Sequence, residues 1–192
     1  SSLNLINPDV EHHHEQTAYL AFMIGNTLEL DVEDIHLLVY AALLHDVGSI
    51  VVEEQKSVEE IEREAKKIAH IGAYMIRETE GFEDIADVVE YCQHRWKELE
   101  KIYENADERC QLKLRLSSII HLADSVSLLI TPKKSIINQL PFLVEVIEKG
   151  RNVQFAECAV DAFMQLREYE FIWLDLMKNP SFLLYFTGEM HT

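Results

Sequence analysis

His45 and Asp46 stand side by side at the end of the apolar run Tyr40-Ala41-Ala42-Leu43-Leu44, just before Val47-Gly48. Two adjacent ionisable groups at the end of a buried helix are costly unless something compensates them. A divalent cation can do so, because imidazole and carboxylate are both metal donors. His121 and Asp124 form a second such place in Ile119-Ile120-His121-Leu122-Ala123-Asp124. Three residues apart, they share a helix face, and Asp124 sits in mid-helix among small and apolar neighbours. His12-His13-His14 is the third place. Consecutive helical residues point about 100° apart, so at most one or two of these rings can face inward. His13 shares a face with Thr17 of an apolar stripe and is the inward one; His12 and His14 are expected in solvent. The blander alternatives are a histidine set against a helix dipole for His45 and a buried carboxylate paired with a nearby cation for Asp124.

The elements that would carry these residues are helices. No strand-like alternation with hairpin turns occurs. Asn7-Pro8 reads as an N-cap followed by proline at the first helical position. From there Val10, Thr17, Leu20, Ile24 and Leu28 mark a helix over about 8–29. Asp31 caps a second, about 32–46, ending near Gly48. Ser57-Val58-Glu59-Glu60 is a capping box opening a third that runs to about Gly81. A fourth is expected over about 83–104 and a fifth over about 108–130, stopping before Pro132. Three or four shorter helices follow, one ended by Gly150 and another broken by Asn179-Pro180. Phe171, Trp173, Leu176, Phe182, Leu183, Tyr185 and Phe186 crowd the C-terminal region; most are expected in the core, the rest against a partner helix or a dimer interface. The expectation is one all-α domain over 1–192: a bundle of five core helices, with the site in 1–130 and a helical extension in 131–192.

Composition narrows the partners. In 192 residues Asp and Glu number 34 against 17 Lys and Arg, a formal charge of −17. That field repels nucleic acid and anionic membranes. A small anionic substrate is still accessible where a bound cation reverses the sign locally. Cys92, Cys110 and Cys158 show no metal spacing and read as free thiols of a reducing cytoplasm. No apolar run spans a membrane, and no signal peptide is expected.

The motifs together resemble the metal-dependent HD phosphohydrolase superfamily. The closer likeness is to its HD-GYP branch, whose active members hydrolyse cyclic di-GMP. His13-His14-Glu15-Gln16-Thr17-Ala18-Tyr19-Leu20-Ala21 resembles the family's opening helix, and Ala41-Ala42-Leu43-Leu44-His45-Asp46-Val47-Gly48 is nearly its signature. Ile71-Gly72-Ala73 resembles the start of the next helix, and the segment ending in Asp124 resembles the one carrying the final aspartate. Phe171-Ile172-Trp173-Leu174 is similar to tails attached to one subgroup. The resemblance implies an all-α fold of the HD-domain type and a metal set of His13, His45, Asp46 and Asp124.

Several positions depart from that pattern. Ile68 stands where the resemblance places the next metal histidine, with His70 on roughly the opposite face. Cys92 and Gln93 stand at the His-His pair, and His94 at the following glutamate. Lys97 to Arg109 replaces the Gly-Tyr-Pro loop, and Ser49 and Ser118 replace two phosphate-binding cations. The remaining set is the minimal one-metal set of the wider superfamily.

Two imidazoles and two carboxylates suit Fe, Mn, Co, Ni, Zn or Mg, with coordination positions left for water and a phosphate oxygen. Asp46 or an adjacent carboxylate is the expected proton acceptor. Gln16 and His121 lie one turn from these ligands and are expected to orient them, while His94 or Cys92 could substitute for missing ones. Arg95, Lys97, Arg109 and Arg115 are expected on the surface, which leaves no cationic clamp. The expected substrate is a small phosphoester, nucleotide or cyclic dinucleotide, turned over weakly in a cytoplasmic signalling protein, as a homodimer or with linked sensor domains. The rival is a degenerate HD module that binds without turnover. A ferritin-like di-metal bundle, through Glu11-x-x-His14 and Glu33-x-x-His36, is disfavoured because both motifs fall in first turns, where glutamate simply suits the dipole.

Overall fold

A computed structural model describes residues 13–51, 58–131 and 134–178. Among these there are nine α-helices and no strand: α1 His13–Thr27, α2 Val32–Leu44, α3 Val58–Arg77, α4 Glu83–Tyr91, α5 Trp96–Asn105, α6 Glu108–Leu129, α7 Ile136–Lys149, α8 Glu157–Leu166 and α9 Glu170–Met177. A 3-10 turn, Val47–Val51, follows α2. The Asn7-Pro8 cap, His12, the Ser57 end of the capping box, Pro132, Asn179-Pro180 and the aromatic residues after Met177 lie outside the described residues.

Local chemistry sets the helix starts that frame the site. Asp31 caps α2 by accepting from the Asp34 N–H at 2.9 Å, and Asp107 caps α6 by accepting from the Cys110 N–H at 2.8 Å. α1 packs on α2 and α6, α3 on α4, and α4 against α2 and α6. Leu20, Ile24, Leu38, Val89, Ile119, Ile120 and Leu122 fill the space between them, each at most 1 % exposed. α8 packs on α1 and α6, and α9 on α1 and α7, so the C-terminal helices close over the same core. Trp173 and Leu176 are buried there, while Phe171 is exposed.

The turn after α2 is pressed directly on α3. A Cβ at Gly48 would collide with the Ile68 carbonyl oxygen and lie 2.8 Å from the Gly72 nitrogen. Only a residue without a side chain allows this approach, and it fixes the position of the His45-Asp46 corner.

The helix expected over 83–104 is two helices. After Tyr91 the chain leaves the helical path, and Arg95 is extended at φ −67°, ψ 142°. The N–H groups of Trp96 and Lys97 donate to Gln154 O at 2.9 Å and Val153 O at 3.1 Å. These long-range bonds take donors that a continuous helix would have used internally. Glu98 then caps the new start, accepting from the Arg95 N–H at 3.0 Å. α3 also stops earlier than Gly81, at Arg77, and Gly81 serves the following turn at φ +86°.

Candidate metal centre

α1 supplies His13, the C-terminal end of α2 supplies His45 and Asp46, and the middle of α6 supplies Asp124. His13 Nε2 lies 2.8 Å from Asp124 Oδ1 and 4.0 Å from Asp46 Oδ2. His45 Nε2 lies 3.3 Å from Asp124 Oδ1 and 3.4 Å from Asp46 Oδ2. His13, His45 and Asp124 are all buried, while Asp46 is partly open. Four groups from three helices therefore meet at one point.

The imidazoles are oriented from behind. The His45 Nδ1–H donates to Ala42 O at 2.7 Å, which turns Nε2 toward the carboxylates. Ser127 Oγ donates to Asp124 O at 2.9 Å. With its one proton used, that oxygen accepts from His13 Nδ1 at 2.9 Å and from Thr17 Oγ1 at 3.0 Å. His13 thereby also presents Nε2 to the site. Gln93 Nε2 donates to Asp124 Oδ2 at 3.0 Å, leaving Oδ1 to face the histidines.

His45 Nε2 and Asp124 Oδ1 are buried without a hydrogen-bond partner, since the close contacts are not aligned as hydrogen bonds. Buried polar atoms are rarely left so. The donor set fits a divalent cation: His13, His45 and Asp124 offer ligand atoms all within 4.8 Å of one another, and so do His14, His45 and Asp46. Electrostatics point the same way. Burial pushes the Asp124 carboxyl up, but the His13 and His45 imidazoles outweigh it and hold the group well below the usual carboxylate range. Burial lowers His45, yet Asp124 and Asp46 outweigh that and push it up to about 9 without a cation. The site thus attracts positive charge.

Asp46, Asp124 and His13 open onto a cavity of about 620 Å³. Ile68, Leu128 and Ile130 give it apolar wall, and Gln16, Gln93, His121 and Gln154 give it polar wall. Ile68 faces this cavity, whereas the His70 side chain is 70 % exposed and bonds Glu90 at 2.7 Å. Gln16 lines the cavity but donates to Leu176 O at 3.4 Å. His121 is half-buried, its Nδ1 is buried without a hydrogen-bond partner, and burial lowers its pKa.

Cys92 and His94 join neither metal-capable group among the described residues. The Cys92 thiol is fully buried and pushed well up, first by burial and then by Asp124 and Asp46, so it stays protonated. Burial lowers His94, whose ring packs 5.5 Å from that of Tyr91.

Two expectations change. Arg95 is not simply a surface residue: with Lys66 it lines the cavity, because the break before α5 turns it back toward α3. Arg95 pairs with Glu62, and Lys66 donates to both oxygens of Glu98 at 2.7 Å. His14 is half-buried rather than solvated, and burial, then the charge on His45, lowers its pKa. Nothing in the single sequence separates His14 from His12. Ser127 carried a signal, a hydroxyl three residues after Asp124 between the apolar Val126 and Leu128.

The HD domain family matches this chain over residues 10–129. No curated protein matches it. No helix among the described residues is long and apolar enough to cross a membrane.

Proposed function

This chain belongs to the HD domain family, and on that premise we propose that it hydrolyses a small phosphoester with a divalent cation held by His13, His45, Asp46 and Asp124. The observation that carries this reading is the meeting of these four side chains beside the cavity, which His13, Asp46 and Asp124 line, with His45 Nε2 and Asp124 Oδ1 buried and unpartnered. The family implies a metal-dependent phosphohydrolase in general. A divalent cation bound there would polarise the phosphoester and acidify water.

The chain's own groups do the rest. Asp46, the most open of the four, accepts the proton released from the attacking water. Gln93 fixes the Asp124 carboxylate, and Ser127 fixes the His13 ring. Ile68, Leu128 and Ile130 restrict water around the ester. Gln16 and His121 line the same cavity and position the substrate. Arg95 and Lys66 receive a phosphate oxygen by exchanging it for Glu62 and Glu98. His94 and Cys92 stand outside this scheme.

The substrate class we favour is a nucleotide or cyclic dinucleotide, as the HD-GYP likeness implies, with weak turnover of cyclic di-GMP. Ile68, Cys92 and Gln93 leave one metal where a two-metal clamp would stabilise both attacking and leaving oxygens. Ser49 and Ser118 remove further cationic help, and each charge-stabilising donor is typically worth about 10²–10³ in rate. In this reading 1–130 is the catalytic core of a single domain over 1–192, and within the 131–192 extension α8 braces α1 and α6 while α9 braces α1. A cytoplasmic signalling protein, homodimeric or carrying linked sensor domains, completes the proposal; exposed Phe171 and Leu174 on α9 offer a contact surface.

The test is an assay of an aryl phosphodiester, an aryl phosphomonoester and cyclic di-GMP with Mn, Fe, Ni, Co, Zn and Mg, beside elemental analysis of the purified protein. Metal-dependent hydrolysis that Asp124→Ala and Asp46→Ala abolish is expected. Metal uptake without any hydrolysis would favour the binding module instead.

A further inference from the structure

We infer that His14 is a fifth donor to the cation, so that the centre is built from three imidazoles and two carboxylates. The inference rests on the proposed metal site and adds to it a residue and a class of ion. The rings of His13, His14 and His45 form a nearly equilateral triangle. Their centroids are 5.6 Å apart for His13–His14, 5.6 Å for His13–His45 and 5.4 Å for His14–His45. The ring planes are turned 62°, 59° and 64° to one another, so no pair stacks face to face. Three rings disposed like blades around one point is the arrangement a shared ion requires.

His14 has no competing role in the structure. Its Nδ1 is buried without a hydrogen-bond partner. It is absent from the cavity wall, so it does not face substrate. A ligand atom of its ring lies within 4.8 Å of those of His45 and Asp46. The two metal-capable groups share His45, and one imidazole nitrogen binds one ion. The sets therefore merge into a single centre rather than two. His14 and His45 close it from the protein side, while His13, Asp46 and Asp124 border the cavity. Two carboxylates balance a divalent charge, and the neutral imidazoles add donors without adding charge, as a buried centre requires.

Three nitrogen donors also select the ion. Magnesium prefers oxygen ligands and keeps several waters. Imidazole suits Fe, Co, Ni and Zn. The centre is accordingly one for a transition metal, with Mg a poor occupant.

The test uses the chelator-stripped full chain, titrated with Co(II), Ni(II) and Mg(II) by calorimetry. One ion per chain is expected, with Co(II) and Ni(II) bound at least about a hundredfold more tightly than Mg(II). His14→Gln should weaken Co(II) and Ni(II) binding by about tenfold or more. His70→Gln should leave binding unchanged. Proton NMR of the Co(II)-loaded wild-type chain should show three exchangeable, hyperfine-shifted imidazole N–H signals, a count that needs no variant to fold. Two signals, or an affinity indifferent to His14→Gln while Asp124→Ala abolishes binding, overturn the inference alone. No Co(II) uptake by the wild-type chain overturns it together with the metal-site reading.

Discussion

Ser127 and Asp124 are one turn apart on α6, and a single hydroxyl ties them to the histidine on the other side of the site: Ser127 Oγ donates to Asp124 O and accepts from His13 Nδ1 at 2.9 Å. The backbone that carries the carboxylate and the imidazole facing it are thus held from the same helix. Thr17 completes the link at 3.0 Å, buried in α1 one turn after His13.

Ser127→Ala tests how far that link sets the centre. It leaves His13 Nδ1 and Thr17 Oγ1 buried and unpaired, a cost of about 1–3 kcal/mol. The His13 ring also loses its orientation, and groups of this kind typically contribute about 10–100-fold to metal affinity. Chemical denaturation of the stripped chain and calorimetric titration with Ni(II) should show both losses. Ser125→Ala is the control: its hydroxyl bonds only the His121 carbonyl of its own helix at 2.7 Å, and metal affinity should be unchanged.

His45 and Asp124 were legible in the sequence because each stands where apolar neighbours force burial, His13 because it shares a face with Thr17, and Asp46 because it adjoins His45. Asp124 between Ala123 and Ser125, and His45 after Leu44, could not be solvated without exposing a core helix. His14 was not legible, because the direction of a Cα–Cβ bond does not fix where a flexible ring at a helix start ends up. The break before α5 was hidden for a different reason. Its cause lies about sixty residues away, in the Val153 and Gln154 carbonyls. With the break hidden, the placement of Arg95 and the bond from Gln93 to Asp124 were hidden too. The all-α class was readable, since helical periodicity and a cap such as Asp31 are local.

Gly48→Ala should destabilise the chain and loosen the His45-Asp46 corner together. The added methyl meets the Ile68 carbonyl and the Gly72 nitrogen, which are backbone atoms that cannot rotate away. Overpacking of this kind costs about 1–3 kcal/mol or more. Thermal unfolding should shift down, and metal affinity should fall in the fraction that remains folded. Ser49→Ala, at the exposed next position, should change neither.

The stripped chain should lose stability as pH rises through the weakly alkaline range. His45 is pushed up from 6.5 to about 9 in the fold, burial opposing and the two aspartates prevailing. A raised pKa contributes stability in full below 6.5 and none above about 9. Asp124, lowered from 3.8, contributes above that value and loses its contribution as pH falls below it. The melting temperature of the chelated protein should therefore be highest between these limits and decline between pH 6.5 and 9. Saturation with Zn(II) or Ni(II) replaces the proton on His45 with the cation, so the alkaline decline should flatten. A decline of equal depth with and without metal would show that His45 is not a ligand.

Arg95→Gln separates binding of the substrate from the chemistry on it. Arg95 and Lys66 are the two cations on the cavity wall among the described residues, each held by a carboxylate of the other's neighbourhood: Arg95 by Glu62 on α3, Lys66 by Glu98 on α5. These pairs are partly exposed, so their own contribution to stability is small, and the folded state should survive the substitution with little change in melting temperature. A phosphate oxygen entering the cavity competes with Glu62 for the guanidinium, whose planar fork suits a phosphate. Loss of that fork should raise KM for a nucleotide by about ten- to a hundredfold, the scale of one charge-assisted hydrogen bond of about 1.5–3 kcal/mol. It should leave kcat within a few-fold, because Arg95 belongs to neither metal-capable group. Glu62→Gln should act in the opposite direction, freeing the guanidinium and lowering KM. If both variants leave KM for a nucleotide and for an aryl phosphodiester unchanged, the pair is a strap between α3 and α5 and the substrate's phosphate is held by the cation alone.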